Sequence, residues 1–384
     1  MKILHVIIGL NAGGAEHVLR RLIESHHGSL EFQHSVVSLT DLGELGSVLI
    51  AQGIEVQVMG MRRITNVPSI TLKLTKLIRQ RKPDLVQTWM YHADAIGGVA
   101  ARAAGNRKVI WGIRGTDMIK GTAYSTYVIR RICALLSRVV PAIIVCVAEA
   151  SRAAHVAIGY ERSKMVVIPN GFELPDAGAL EEQRRAFRAE HGWSEDEFVV
   201  GCVGRFNYYK DHANFVEAGG LLAKRYPSAR FLMVGKGLDF SNAELRNLIE
   251  RTGSPDKFTL LGYRDDVLNC LTGLDAFCLS SRSEGFPNVL GEAMSVGVPC
   301  VATDVGDVRT LLSHTGIVVP KENASALCAG LVHVLELPRT ARIALGQSGR
   351  DRIIAEFSAG KARERFETIY MSLAECAIAR PTFP

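Results

Sequence analysis

The chain has 384 residues, 47% of them apolar, and 45 Lys and Arg against 39 Asp and Glu give it a formal net charge of +6. That length exceeds what one hydrophobic core ordinarily serves, so two domains are expected. The apolar content is that of a globular protein, and no run reaches the roughly 18 uncharged apolar residues of a membrane-spanning helix; the longest, Val139 to Ala148, contains Pro141 and is closed by Glu149.

Met1 to Leu10 pairs a lysine with a short apolar run, but His5 interrupts it. The Asn-Ala-Gly-Gly-Ala-Glu that follows reads as a strand-to-helix turn rather than the end of a signal peptide. From there apolar runs alternate with amphipathic stretches, the pattern of parallel sheets covered by helices. Strands are predicted near 2–8, 33–39, 54–59, 84–89, 108–113, 142–147 and 165–168, with helices at 15–26, 69–81, 91–105, 124–138 and 149–159. The turn Ile168-Pro169-Asn170-Gly171-Phe172, followed by a polar stretch rich in Glu and Arg, marks a domain boundary. A second alternation follows, with strands near 198–203, 230–234, 257–261, 275–280, 299–302 and 316–319. Its helices fit at 210–225, 241–252, 264–272, 288–296, 323–336, 340–356 and 360–377. The fold class is therefore α/β, two doubly wound units in tandem, with ligands expected at the carboxyl ends of their strands and in the cleft between them.

Eight cysteines never form Cys-x-x-Cys and mostly lie in apolar runs, so they read as small buried hydrophobes in a reducing compartment, with neither a zinc site nor a disulfide framework. Charge is uneven. Residues 1–172 hold 21 basic against 11 acidic side chains, and the remainder 24 against 28. No acid lies between Glu55 and Asp84, whereas Arg62, Arg63, Lys73, Lys76, Arg79, Arg81 and Lys82 do. Such a run could hold the protein against an anionic membrane face or be a solvated helix face. Aromatic residues are scarce in it, which argues against nucleic acid.

The most informative segment is Ser283-Glu284-Gly285-Phe286-Pro287-Asn288-Val289-Leu290-Gly291-Glu292-Ala293-Met294. Pro287 suits the first turn of a helix, and a helix start offers open backbone N–H groups to an anion, here at Asn288, Val289 and Leu290. Glu284 then lies in the preceding loop and Glu292 about one turn inside, so the two carboxylates can reach opposite ends of one long ligand, with sugar hydroxyls as partners. Gly204-Arg205-Phe206-Asn207-Tyr208-Tyr209-Lys210 follows the first strand of the second unit. Arg205 and Lys210 could there neutralise a diphosphate through charge-assisted hydrogen bonds and stabilise a departing nucleoside diphosphate.

With these residues in place the chain resembles the retaining glycosyltransferases of family 4, with the GT-B architecture of two Rossmann-like domains facing across a cleft. The matching features are Gly13-Gly14-Ala15-Glu16, Ile168-Pro169-Asn170-Gly171, Gly204-Arg205 with Lys210, Glu284 with Glu292, and a terminal helix with Arg365-Phe366-Glu367-Thr368-Ile369-Tyr370. They run in the expected order along essentially the whole chain. The resemblance implies an acceptor domain over 1–170, a nucleotide-sugar donor domain over 171–359, and a segment 360–384 that is a candidate to pack back onto the first. It also implies that Arg205 and Lys210 hold the diphosphate, Glu284 the transferred sugar and Glu292 the ribose. Gly13 and Gly14 would let backbone approach the phosphates or the acceptor. The family often carries a histidine after the strand Val109 to Ile113, but this chain has Arg114-Gly115-Thr116-Asp117. Arg114 then becomes a candidate to face donor phosphates or an anionic acceptor, Asp117 to take an acceptor hydroxyl, and His92 is their rival, although an isolated histidine is more often structural.

The expected activity is transfer of a hexose-type sugar to a glycan or lipid-linked acceptor in envelope or extracellular polysaccharide assembly, such as lipopolysaccharide, by a cytoplasmic enzyme in peripheral contact with an anionic membrane. Uridine diphosphate is favoured as the family's commonest donor carrier. No Asp-x-Asp occurs, so no metal and no further cofactor are called for, and no nucleic-acid partner is expected. A glycosidase would leave Arg205 and Lys210 without a task. A nucleotide-dependent oxidoreductase is suggested by Gly235-Lys236-Gly237, but Phe240 stands where the third glycine belongs. A catalytically silent binding subunit would keep the fold and lack turnover.

Overall fold

The computed structural model describes residues 1–11, 13–116 and 124–375. They form two compact units, one of Met1–Asn170 together with the segment that begins at Ala359, the other Gly171–Ser358. The first contains strands β1 (Lys2–Ile7), β2 (Gln33–Ser38), β3 (Glu55–Val58), β4 (Leu85–Trp89), β5 (Val109–Ile113), β6 (Ile143–Cys146) and β7 (Met165–Val167). Its helices are α1 (Gly14–Ser25), α2 (Gly43–Ala51), α3 (Val67–Arg81), α4 (Tyr91–Ala103), α5 (Tyr124–Leu136) and α6 (Glu149–Val156). The second unit runs α7 (Ala177–Glu190), β8 (Phe198–Val203), α8 (His212–Arg225), β9 (Ala229–Val234), α9 (Ala243–Glu250), β10 (Phe258–Gly262), α10 (Val267–Thr272) and β11 (Ala276–Leu279). It continues with α11 (Asn288–Ser295), β12 (Cys300–Thr303), α12 (Val308–Leu312), β13 (Ile317–Val319), α13 (Ala324–Glu336) and α14 (Arg339–Arg352), whose end widens into a π turn over Ile353–Phe357. The last helix, α15 (Ala359–Glu375), belongs to the first unit.

Both sheets are parallel, in the orders β3-β2-β1-β4-β5-β6-β7 and β10-β9-β8-β11-β12-β13. Strands covered on both faces carry continuous apolar runs instead of alternating ones, and every residue of β4, β5 and β6 is buried. One face of the first sheet packs Leu74 and Ile78 of α3, Ile96 and Ala100 of α4 and Cys133 of α5. The opposite face packs Leu19 and Ile23 of α1, Leu49 of α2, and Phe366, Ile369 and Tyr370 of α15. The Tyr370 hydroxyl donates to the side-chain carbonyl of Gln87, which satisfies two polar groups in that core. Six of the seven described cysteines are buried, and all seven are free thiols.

The predicted strands match within about two residues. Helices α2, α7 and α12 were not expected from the sequence. In the second sheet the chain order reverses between the neighbouring strands β8 and β11. Crossovers leave such a point in opposite directions, so a crevice opens there at the carboxyl ends of the strands.

Candidate functional site

Both predicted donor-side loops emerge at that reversal. The β8 loop begins at Gly204, and the stem of Lys210 lies over it: an added Cβ on Gly204 would come to 3.3 Å from Lys210 Cδ. Asn207 Oδ1 accepts the N–H groups of Tyr209 at 2.9 Å and Lys210 at 3.0 Å, which turns the chain back toward α8. Asp211 caps α8 from a left-handed conformation, φ 48°, through the Asn214 N–H. The β11 loop begins with Ser280, whose hydroxyl donates to the Lys210 carbonyl at 2.9 Å and so fastens one loop to the other.

These bonds bring Lys210 Nζ to 2.7 Å from Glu284 Oε1, an ion pair with 22% and 12% side-chain exposure. The Ser281 hydroxyl donates to the same carboxylate oxygen at 2.6 Å. Glu284 is held from behind by Gly306, at φ 53°, where an added Cβ would lie 2.4 Å from the Glu284 carbonyl oxygen. Asp307 N–H closes the same turn on the Gly285 carbonyl at 3.1 Å. Arg205 is exposed and has no hydrogen bond or ion pair among the described residues. His212, stacked on Phe206 at 5.5 Å between ring centres, is held neutral: burial first, then the nearby Lys210 charge, lowers it to about 4.

Arg282 was not singled out in the sequence. Its guanidinium reaches Asp211 at 2.8 Å and Glu322 at 3.0 Å, stacks on Tyr208 at 4.4 Å and donates to the Tyr208 carbonyl at 3.0 Å. It joins the two loops that carry Lys210 and Glu284. Burial raises the Asp211 carboxyl while the Arg282 charge opposes that rise. The only signal was an arginine two residues before Glu284, which by itself reads as surface charge.

Glu292 lies on α11, in the turn after Asn288 and Val289, all three partly exposed. The Leu290 expectation needs correction: its N–H donates to the Pro287 carbonyl at 3.1 Å and its side chain is fully buried, so that amide is already taken. A tight first turn closing behind Pro287 is the reason.

In the first unit, Gly13 precedes α1 and its open side is crowded by Glu16, whose Oε2 would lie 2.4 Å from an added Cβ; Gly14 faces open space. Burial raises the Glu16 carboxyl. His92 sits in the first turn of α4, after Met90 in a left-handed conformation at φ 69°, and burial lowers its basicity. Arg114 departs from expectation. Its guanidinium turns inward, 5.2 Å from the Trp89 ring and 5.5 Å from Phe366, and donates to Ile168 O at 3.4 Å and Asn170 Oδ1 at 3.2 Å. Burial lowers it to about 10, so it stays charged, but as a brace held against two adjoining aromatic rings rather than as an open anion ligand. Asp117 lies outside the described residues.

A cavity of about 310 Å³ opens at the amino ends of β11 and β12, lined by Arg184, Asp275, Pro299 and Arg350 among others. It is remote from the loops above, which leave the carboxyl ends of the strands. Its charges are already matched: Arg184 pairs with Asp275 at 2.8 Å, and Arg350 donates to the carbonyls of Ser295 and Pro175.

The family model described as Glycosyltransferase Family 4 matches residues 12–174, and the one described as Glycosyl transferases group 1 matches residues 183–352. The UDP-Gal:alpha-D-GlcNAc-diphosphoundecaprenol alpha-1,3-galactosyltransferase of Escherichia coli is 24% identical over 79% of this chain and 79% of its own. The capsular polysaccharide biosynthesis glycosyltransferase CapM of Staphylococcus aureus is 24% identical over 78% of this chain and 79% of its own. Among solved structures, Anabaena Alr3699/HepE in complex with UDP superposes with a TM-score of 0.82 at 21% identity, covering 97% of this chain and 100% of that one. The chain belongs to glycosyltransferase family 4 and has the GT-B fold: it is a glycosyltransferase.

Proposed function

We propose that this glycosyltransferase moves a hexose-type unit from a uridine diphosphate sugar, with retention of configuration, to a glycan or lipid-linked saccharide in envelope or extracellular polysaccharide assembly. The observation that carries the reading is the Lys210–Glu284 pair, 2.7 Å apart where the strand order reverses, with the exposed Arg205 on the same loop. A cation beside a carboxylate suits a ligand that presents a diphosphate next to a polyhydroxylated ring. The relatives support the choice of carrier and acceptor: one is named for a UDP-galactose donor and a diphosphoundecaprenol-linked acceptor, another for capsular polysaccharide, and HepE was also solved with UDP-glucose.

In this reading Arg205 and Lys210 bind the pyrophosphate, with Asn288 and Val289 opening α11 toward it. Glu284 takes hydroxyls of the transferred sugar, and Glu292 takes the ribose cis-diol, to which a carboxylate can offer both oxygens. The acceptor oxygen forms its bond to the anomeric carbon as the bond from that carbon to the β-phosphate oxygen breaks. The leaving phosphate accepts the acceptor's proton on the same face. Negative charge grows on the leaving diphosphate, so fixed cations there lower the barrier. Two such side chains make a bridging metal unnecessary for this route, and turnover is expected to survive chelation by EDTA. His92, kept neutral by burial, is the acceptor-side candidate, and the first unit is assigned to the acceptor at the inner membrane surface.

A panel of nucleotide sugars tests the proposal, with released nucleoside diphosphate as the readout. Uridine diphosphate hexoses should be turned over at least ~10-fold faster than other donors. Binding of a nicotinamide dinucleotide with no hydrolysis of any nucleotide sugar would overturn it.

A further inference from the structure

The outer face of α5 carries side chains that a solvated helix does not keep there. Tyr124 is 82% exposed, Leu135 71% and Val139, just past the helix, 62%; Tyr127, Val128 and Ile132 are each exposed by more than 40%. Spacings of three, four and seven place Tyr124, Val128, Ile132 and Leu135 on one stripe with Tyr127 at its edge, opposite the buried Cys133, and Val139 continues the exposed apolar surface past the helix end. A surface helix ordinarily turns polar residues outward. Among the described residues twenty large apolar side chains are exposed, and six of them fall in this stretch of 16 residues, so the stripe is a patch and not the usual scatter. The patch belongs to a helix of ordinary length. No helix among the described residues is long and apolar enough to cross a membrane.

The charges say what covers it. Arg131 is exposed on the same stripe and Arg138 is exposed just past the helix, and the sequence from Met118 to Ala148 contains no Asp or Glu. Helix α4 lies between α5 and α3 in one layer, and the outward residues of that layer include Arg102, Lys73, Lys76 and Arg79. The α3 surface is basic with a single exposed large apolar side chain, Leu72, whereas α5 combines tyrosines, aliphatics and arginines. That combination is the composition of a helix lying in a lipid interface, with arginines at headgroup level and apolar side chains below. A second copy of this chain is a poorer occupant. A two-fold interface sets the same patch against itself, bringing arginines to arginines with no acid to receive them.

We propose that the exposed face of α5 is a docking surface for an anionic lipid bilayer, with the basic α3 as an auxiliary electrostatic contact. This rests on the reading above that the acceptor is presented at a membrane, and it moves the main contact from the basic run 62–82 to α5. The helix inserts only its outer stripe, so the core residues Cys133 and Ala134 keep their packing.

Flotation of the full chain with phosphatidylcholine vesicles, with and without 30% phosphatidylglycerol, tests it at 0.1 M salt. The wild type should float with the anionic vesicles and not with the neutral ones, and Ile132→Glu/Leu135→Glu should lose at least ~10-fold in partitioning. A second variant, Leu135→Trp, keeps the patch apolar and should shift its emission to the blue on addition of anionic vesicles. Hydrolysis of the donor in solution should be unchanged in both variants, because neither residue belongs to the sugar-transfer site. Equal flotation of wild type and the double glutamate variant, no shift in Leu135→Trp, or a wild-type dimer that the glutamates dissolve would each overturn the assignment. Loss of donor hydrolysis in every protein with flotation intact would sink the transfer reading and leave the docking surface standing.

Discussion

Lys210 Nζ and Glu284 Oε1 lie 2.7 Å apart, and the same carboxylate oxygen takes the Ser281 hydroxyl at 2.6 Å. The ammonium is therefore held by protein before any donor arrives, and an incoming diphosphate competes with Glu284 for it. Glu284→Gln keeps the shape and removes that competitor. We predict that it lowers transfer at least ~100-fold, about 2.7 kcal/mol of transition-state stabilisation, while UDP binds as tightly as before or more tightly. Steady-state kinetics beside calorimetric titration of UDP would show the split; a normal rate would remove Glu284 from the sugar site.

Arg205 and Lys210 should separate in stability. Arg205 has no partner among the described residues, so Arg205→Ala is expected to stay within ~0.5 kcal/mol of wild type in unfolding. Lys210→Ala leaves Glu284 without its cation and should cost about 1–3 kcal/mol. Each should reduce turnover by at least ~100-fold. Denaturant melts and initial rates on the two variants check both halves, and near-normal rates in both would mean that the diphosphate binds elsewhere.

Gly306 shapes the Glu284 loop from outside the ligand site. It combines φ 53° with a space in which a Cβ would stand 2.4 Å from the Glu284 carbonyl. Gly306→Ala should destabilise by about 1–2 kcal/mol and displace the loop, lowering kcat at least tenfold with the fold intact. A variant with wild-type kcat and Tm would show that the loop tolerates the shift.

A buried chain of histidines ties α15 to the first sheet. Trp89 Nε1 can only donate, and it lies 3.3 Å from His5 Nδ1. His5 Nε2 then donates to His34 Nδ1 at 2.9 Å, His34 Nε2 to His26 Nδ1 at 3.1 Å, and His26 Nε2 to the Glu367 carboxylate at 3.0 Å. One donor end and one acceptor end thus fix every tautomer, with all three rings neutral. Burial lowers all three, His34 to about 3. The unfolded chain binds the extra protons first. Stability is therefore complete above the ordinary histidine value of about 6.5 and falls as the pH drops through the window between 6.5 and 3, by up to ~1.4 kcal/mol per pH unit for each proton. Urea unfolding at pH 7.5, 6 and 5 should show this decline. Stability that is flat or rising toward pH 5 would contradict the neutral chain.

The strands were legible because buried parallel strands are short apolar runs bounded by turns. Helix α7 was not, because two of its inward positions are Arg184 and Arg188, which share the Asp275 carboxylate at 2.8 and 3.0 Å. An arginine with 1% exposure looks like surface in a sequence. Helix α2 was hidden by Gly43 and Gly46; Gly43, at φ 57°, abuts the Leu10 backbone so closely that no Cβ fits. In the site, Lys210 and Glu284 could be named from their motifs because each lies in the loop that follows a strand. Arg282 and the inward turn of Arg114 depend on partners far away in sequence, Glu322 for one and Trp89 and Phe366 for the other. The three histidines, near the start of the chain, and Glu367 near its end give no local pattern at all.

Calorimetric titration of UDP and of uridine into the wild type and into Arg205→Ala/Lys210→Ala tests the central claim most directly. If the pyrophosphate sits on these two cations, UDP binds the wild type at least ~100-fold more tightly than uridine, and the double variant erases that difference. Equal UDP affinity in wild type and double variant would contradict the account.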